Sequence, residues 1–171
     1  MHSQLWDFDE NKNYINYNGY KVLSLPNYQK SAKILESLDT LIIKAFIHLE
    51  LSFKPRPPEI KLLLDTPFKL QEMQLIKDQL EYKFEGLNKP KNVHRTNKIE
   101  IGEDKKLRAK SRLIFLTLRD SNGKFKSYST IVKLLAHELT HTALNHVTWR
   151  DDDHGPKFDK YNKIILNSLL I

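Results

Sequence analysis

His137-Glu138-Leu139-Thr140-His141 is the most informative segment of this 171-residue chain. Histidines four residues apart lie on one face of an α-helix, so both imidazoles can reach one metal ion from a rigid support. A glutamate directly after the first histidine lies near such an ion and can take a proton from water there. The segment therefore predicts a helical zinc site, with His137 and His141 as ligands and Glu138 as general base. The alternative is a helix that merely carries two histidines on its polar face.

A zinc peptidase site needs a third protein ligand, which leaves a fourth position for water. The chain has no cysteine and no glutamate after Glu138, so this ligand has to be a histidine or an aspartate. His154 is our first choice, because the Gly-Pro pair after it lets the chain turn back toward the helix. The alternatives are the three aspartates before His154 and also His146. Since His146 follows His141 by five residues, it lies roughly 140° around the helix and would reach the ion only if the helix ended first.

The order of apolar and turn-forming residues predicts a small α+β domain that spans residues 1–171. Asn18-Gly19 between two tyrosine-rich runs indicates a type I′ hairpin. Apolar periodicity, caps and prolines predict helices over 28–51, 66–86, 130–146 and 157–170, and strands over 60–64, 98–101 and 113–118. In this arrangement the N-terminal helices pack on a short sheet, whose strand 113–118 leads to the active-site helix and then to a C-terminal helix.

The composition is that of an ordinary globular protein, with 40% hydrophobic and 29% charged residues. No apolar stretch has the roughly 20 residues that a membrane helix needs. The N-terminal residues lack the basic start and apolar core of a secretory signal. Together with the absence of cysteine, these features favour an intracellular protein without disulfides.

Positive charge is concentrated in the middle of the chain. Residues 83–133 contain 14 basic and five acidic side chains, although the whole chain has a net charge of only +7. Such a segment indicates a polyanionic partner, nucleic acid first, and its alternative is a solvated lysine-rich surface. The candidates for phosphate contacts are Lys105, Lys106, Arg108, Lys110 and Arg112.

The active-site segment also carries a family resemblance. The run Gly86-Leu87-Asn88, the apolar segment 113–118 and the spacing from Tyr128 to His141 resemble the WLM metallopeptidases, relatives of the Spartan and SprT-like proteases. The segment His154-Gly155-Pro156-Lys157-Phe158 is similar to the SprT-like motif for the third ligand. The resemblance covers residues 86–170. His154 follows His141 by thirteen residues, an insert closer to the SprT-like arrangement and similar to WLM-type proteins of large DNA viruses.

This resemblance implies a zincin-like fold and a zinc-dependent peptidase that acts on proteins crosslinked to DNA, with nucleic acid stimulating cleavage. The location that it implies is the nucleus, or a cytoplasmic replication site if the protein is viral. Two other functions remain open on the sequence. One is an isopeptidase for ubiquitin-like modifiers, and the other is a nucleic-acid-binding zinc module without peptidase activity.

Overall fold

The computed structural model describes residues 13–74, 85–96, 101, 106–147 and 154–171. Within these ranges the chain forms four helices and two sheets, which confirms the α+β class. The elements in chain order are β1 (Tyr14–Tyr17), β2 (Tyr20–Leu23), α1 (Tyr28–Ser52), α2 (Pro58–Asp65), β3 (Phe68–Glu72), β4 (Gly86–Arg95), β5 (Leu107–Leu116), α3 (Tyr128–Ala143) and α4 (Pro156–Leu169).

The N-terminal hairpin and the first long helix form as the sequence predicts. Asn18 and Gly19 have φ angles of 51° and 84°, the positive values that a type I′ turn requires, and β1 pairs antiparallel with β2. In α1, apolar residues three or four positions apart, such as Leu35, Leu38 and Ile42, are buried in the main core.

A three-stranded sheet supports α3, the helix that carries His137 and His141. Its strand order is β3-β5-β4, with β3 parallel and β4 antiparallel to β5. Ile114 and Leu116 of β5 share one apolar core with Leu135 and Leu139 of α3, so this core fixes the helix on the sheet. β4 is an edge strand of the described sheet, a position that tolerates Pro90 because proline has no N–H to donate.

Residues 60–64, predicted as a strand, belong instead to α2. Pro58 suits the first turn of a helix, and Ile60 and Leu63 are buried at a helical spacing. A short apolar run does not reveal its period, which explains this error.

The helix predicted over 66–86 is wrong at Phe68–Glu72, where β3 pairs with β5. Thr66 directly follows α2, and its hydroxyl donates to the Leu62 carbonyl of that helix. Thr66 therefore ends α2 and does not begin another helix. Gly86 begins β4, a strand that was not predicted. Residues 75–84 of the predicted helix and 98–100 of the predicted strand 98–101 lie outside the described residues. The strand predicted over 113–118 is β5, which is longer and ends at Leu116.

The last two helices, α3 and α4, contain or adjoin the residues of the predicted metal site. Ser127 caps α3, since its hydroxyl accepts a hydrogen bond from the Thr130 N–H at 3.3 Å. α3 ends at Ala143, and His146 therefore lies beyond the helix. α4 begins at Pro156, directly after the segment that contains His154. None of the helices in the described ranges is long and apolar enough to span a membrane.

Candidate metal centre

The structure brings His137, His141 and His154 together at one point. His137 and His141 lie one turn apart on α3, and His154 precedes α4, which packs beside α3. One ring nitrogen from each histidine lies within 4.8 Å of those of the other two. The Nε2 atoms of His141 and His154 are 3.3 Å apart. Among the described residues, this is the group of histidine and acidic side chains able to hold a metal ion.

The surroundings of His137 and His141 favour the neutral form of both rings. Burial lowers the pKa of His137 to about 4, and the nearby His154 acts in the same direction. Burial also lowers the pKa of His141 below its usual value, together with His146, His137, His154 and Arg112. Metal binding requires deprotonated ring nitrogens, so the fold removes much of the competition from protons at neutral pH. Three histidine rings match the donor set of a catalytic zinc site, which keeps one position open.

Phe158, in the first turn of α4, packs the three rings into place. Its ring centroid lies 4.9 Å from that of His137, 5.0 Å from that of His141 and 4.5 Å from that of His154. Phe158 is itself buried in the main core. The four-residue spacing between His154 and Phe158 therefore has a physical basis, because it brings the Phe158 ring into contact with the His154 ring.

Glu138 is buried beside Gly86, the first residue of β4. Its side chain is buried, and a Cβ atom added to Gly86 would lie 2.8 Å from its Oε2 atom. The carboxylate is not part of the three-histidine group. Glu138 directly follows His137 on α3, and its role as the general base stays a prediction.

Arg112 is not available to a phosphate, and its predicted role in nucleic-acid binding is corrected. Its exposed fraction is 3%, and its Nη1 atom donates to Asn88 Oδ1 at 3.2 Å and to the His146 carbonyl at 2.8 Å. The alternation of β5 gave no signal for this burial, because Arg112 shares a strand face with the exposed Lys110 as well as with the buried Ile114.

The other predicted phosphate contacts are distributed around the outer end of the β4–β5 pair. Lys106 and Lys110 are exposed, Arg108 is half-buried opposite His94, and Lys105 lies outside the described residues. Their contact with nucleic acid stays a prediction.

Sequence reasoning missed two polar residues next to the site. Asn88 of β4 donates from Nδ2 to the Glu138 carbonyl at 2.6 Å and to the Thr142 hydroxyl at 2.7 Å. His146 was considered only as a ligand, but its Nδ1 atom lies 2.7 Å from Nδ1 of His141, on the side of that ring away from His154. Asn88 was noted only within the run Gly86-Leu87-Asn88, and nothing in that run or in the position of His146 predicted either contact.

Comparisons with known proteins give one distant structural similarity. No protein-family model and no curated protein matches the chain. A crystal structure of a Wss1 mutant from S. pombe is similar over 86% of this chain and 91% of that chain, with 20% sequence identity and a TM-score of 0.42. A similarity this distant assigns neither a family nor an activity, so the function has to be argued from the site itself.

Proposed function

We propose that the protein is a zinc-dependent endopeptidase whose ion is held by His137, His141 and His154. The observation that carries this proposal is the convergence of three histidine rings, two of them on the helix in which the buried Glu138 directly follows His137. A purely structural zinc site is usually closed by a fourth protein ligand and does not need an adjacent base. Three histidines with one open position, next to Glu138, favour a catalytic site.

The residues around the proposed ion would divide the hydrolysis of a peptide bond between them. A bound zinc ion would polarise the scissile carbonyl and lower the pKa of water. Glu138 would accept the proton of the attacking water and pass it to the leaving amine. Its carboxylate lies beside Gly86 at the start of β4, and an extended peptide can add to such an edge strand through backbone hydrogen bonds. This placement supports a protein or peptide as the substrate.

The proposed substrate is a protein crosslinked to DNA. Two arguments support it, namely the resemblance of the active-site segment to the WLM and SprT-like peptidases and the basic excess of residues 83–133. Lys106, Arg108 and Lys110 lie in or beside β5, the strand that also carries Arg112 into the site region. DNA held by these side chains would keep a crosslinked protein close to the peptidase site.

The experiment compares the wild type with Glu138→Gln on a protein crosslinked to DNA, and on the same protein without the crosslink. We expect DNA-dependent cleavage of the crosslinked protein by the zinc-loaded wild type. The Glu138→Gln variant keeps zinc but loses about 10²–10⁴-fold in turnover, since an amide cannot accept the proton. Equal cleavage by both proteins would remove Glu138 from the mechanism.

A ubiquitin-like fusion serves as the second substrate in the same assay. Cleavage confined to the ubiquitin-like junction would favour an isopeptidase and overturn the proposed substrate. Cleavage of neither substrate by a zinc-loaded wild type that binds DNA would instead favour a nucleic-acid-binding module.

A further inference from the structure

The end of α3 returns the chain to the side of His141. Asn145 has a φ angle of 56°, in the left-handed region that often ends a helix. The N–H of His146 then donates to the His141 carbonyl at 3.0 Å, and the N–H of Asn145 donates to the Thr142 carbonyl at 3.1 Å. These two bonds form a Schellman motif. The motif carries His146 back to His141 although the two residues are not on one face of a continuous helix.

The hydrogen bond between the rings of His141 and His146 indicates which nitrogen of His141 would bind a metal. Its Nδ1 atom lies 2.7 Å from Nδ1 of His146, and its Nε2 atom faces Nε2 of His154. A neutral imidazole carries one proton, and the nitrogen that binds a metal must be the other one. If Nε2 of His141 binds the metal, its Nδ1–H donates to His146, which accepts with its own proton on Nε2.

Arg112 of β5 and Asn88 of β4 hold in position the segment after α3 that contains His146, the His146 loop. The Arg112 guanidinium donates to both the His146 carbonyl and the Asn88 side-chain oxygen. The Asn88 amide nitrogen in turn donates to the Glu138 carbonyl of α3. The orientation of this amide follows from its partners, because the arginine can only donate and the carbonyl can only accept. β4 and β5 are thereby linked to both the His146 loop and the active-site helix.

We propose that His146 is a positioning residue for the metal centre and not one of its ligands. It accepts the Nδ1–H of His141 and keeps the Nε2 atom of that ring directed at His154, while Arg112 and Asn88 fix the loop that carries it. This inference rests on the proposed zinc site. Outer partners of this kind set the tautomer and ring orientation of metal-binding histidines, and their loss typically weakens metal affinity by 10–100-fold.

The experiment uses the full chain with His146→Leu, which cannot accept a hydrogen bond, and with His146→Gln, whose side-chain oxygen can. Zinc dissociation constants are measured by competition with a chelator, and unfolding of the metal-free proteins is followed in parallel. We expect about 10–100-fold weaker zinc binding for His146→Leu and a smaller loss for His146→Gln. The matched control is His94→Leu, a half-buried histidine on β4 outside the site, which leaves the zinc affinity unchanged.

Nitrogen chemical shifts of the metal-free proteins separate this inference from the proposed function. His141 is expected as the Nδ1–H tautomer in the wild type and in His146→Gln, and as a mixture in His146→Leu. If the wild type binds no zinc, the proposed function fails, and the tautomer measurement still decides whether His146 orients His141. Equal zinc affinities and equal tautomers in all three proteins would overturn the positioning role. Loss of stoichiometric zinc from both His146 variants at saturating metal would make His146 a ligand and would overturn it too.

Discussion

Two buried polar clusters lie at opposite edges of the three-stranded sheet, and each contains an arginine from β5 or the segment after it. The β3 cluster consists of Glu72, Arg119, Ser31 and the backbone of residues 23 and 26. Glu72 accepts from the Leu23 N–H at 2.8 Å and from Arg119 Nε at 3.3 Å. Arg119 also donates to the Pro26 carbonyl and to Ser31. Together these contacts join the hairpin, α1 and the sheet to one another.

The β4 cluster, formed by Asn88, Arg112, His146 and His141, ends differently. In this cluster Arg112 donates to the Asn88 side-chain oxygen and to the His146 carbonyl. Its last member, His141, has its Nε2 atom 3.3 Å from Nε2 of His154 and belongs to the three-histidine group. The β3 cluster is therefore completed by contacts that stabilise the fold. The β4 cluster directs ring nitrogens toward a common point, the arrangement that a metal ion can use. The two clusters should respond differently to substitution.

The largest expected effect is the loss of zinc when a proposed ligand that shares the site with His141 is removed. His137→Ala and His154→Ala are each expected to abolish stoichiometric zinc, because two remaining imidazoles do not complete a three-ligand site. His146→Ala keeps stoichiometric zinc at saturating metal. Metal analysis of the purified variants checks this expectation. Zinc that is retained in the His154 variant but lost from the His146 variant would contradict the ligand assignment.

Breaking the β3 cluster should cost stability without affecting the metal. Glu72→Ala leaves Arg119 buried without its carboxylate partner, and such a change typically destabilises a protein by about 3–5 kcal/mol. Urea unfolding measures the loss, and metal analysis of the folded fraction should still give one zinc per chain.

The matched control for Glu72 is an exposed glutamate. Glu50 is paired with Arg56 at 3.6 Å on the surface, and Glu50→Ala should change the stability by no more than about 1 kcal/mol. If Glu72→Ala costs as little as this control, the β3 cluster does not stabilise the fold. A folded Glu72 variant without zinc would show that the two clusters are not independent.

The sequence was sufficient for those parts of the molecule whose pattern is local. Two histidines and a glutamate at helical spacing located the candidate site, and Asn-Gly located the hairpin. The α+β class also followed from the sequence, because long helices such as α1 show a clear period. His154 could be singled out because His-Gly-Pro before a helix allows the chain to return.

Contacts between elements distant in the sequence could not be predicted in the same way. Residues 68–72 are a strand because β5 pairs with them, and their own pattern did not reveal this partner. The charge of Arg112 indicated a phosphate contact, yet its position opposite Asn88 and His146 is fixed by the register of the sheet and by the end of α3. Tertiary structure therefore decided between two roles for the same side chain.

A smaller effect is expected from a methyl group added beside Glu138. Gly86→Ala would place a Cβ atom 2.8 Å from Glu138 Oε2 and 3.0 Å from Leu134 Cδ1. The end of the glutamate side chain can move, so the fold and the metal are retained while the proposed base is displaced. A misplacement of about 1 Å can lower turnover by about 10²-fold.

Steady-state cleavage and metal analysis check the Gly86 variant. Gly123→Ala is its control, because Gly123 has no other group within 4 Å of an added Cβ and a φ angle of 80°. Its left-handed backbone should cost about 1–2 kcal/mol of stability and leave turnover unchanged. Equal turnover in the wild type and the Gly86 variant would place Glu138 outside the mechanism or show that its displacement is harmless.

The smallest expected effect concerns the exposed cations of β5. Lys110 and Arg112 are two residues apart on this strand, but Lys110 is exposed and Arg112 belongs to the β4 cluster. If about five phosphates are neutralised, the logarithm of the affinity for single-stranded DNA falls with the logarithm of salt concentration at a slope of roughly −3.5. Lys110→Gln should make this slope shallower by about 0.7 and weaken binding to all sequences alike. Lys44→Gln, at an exposed position of α1, is the control and should leave the slope unchanged. An affinity that does not depend on salt, or equal slopes for the wild type and both variants, would contradict phosphate binding by this end of the sheet.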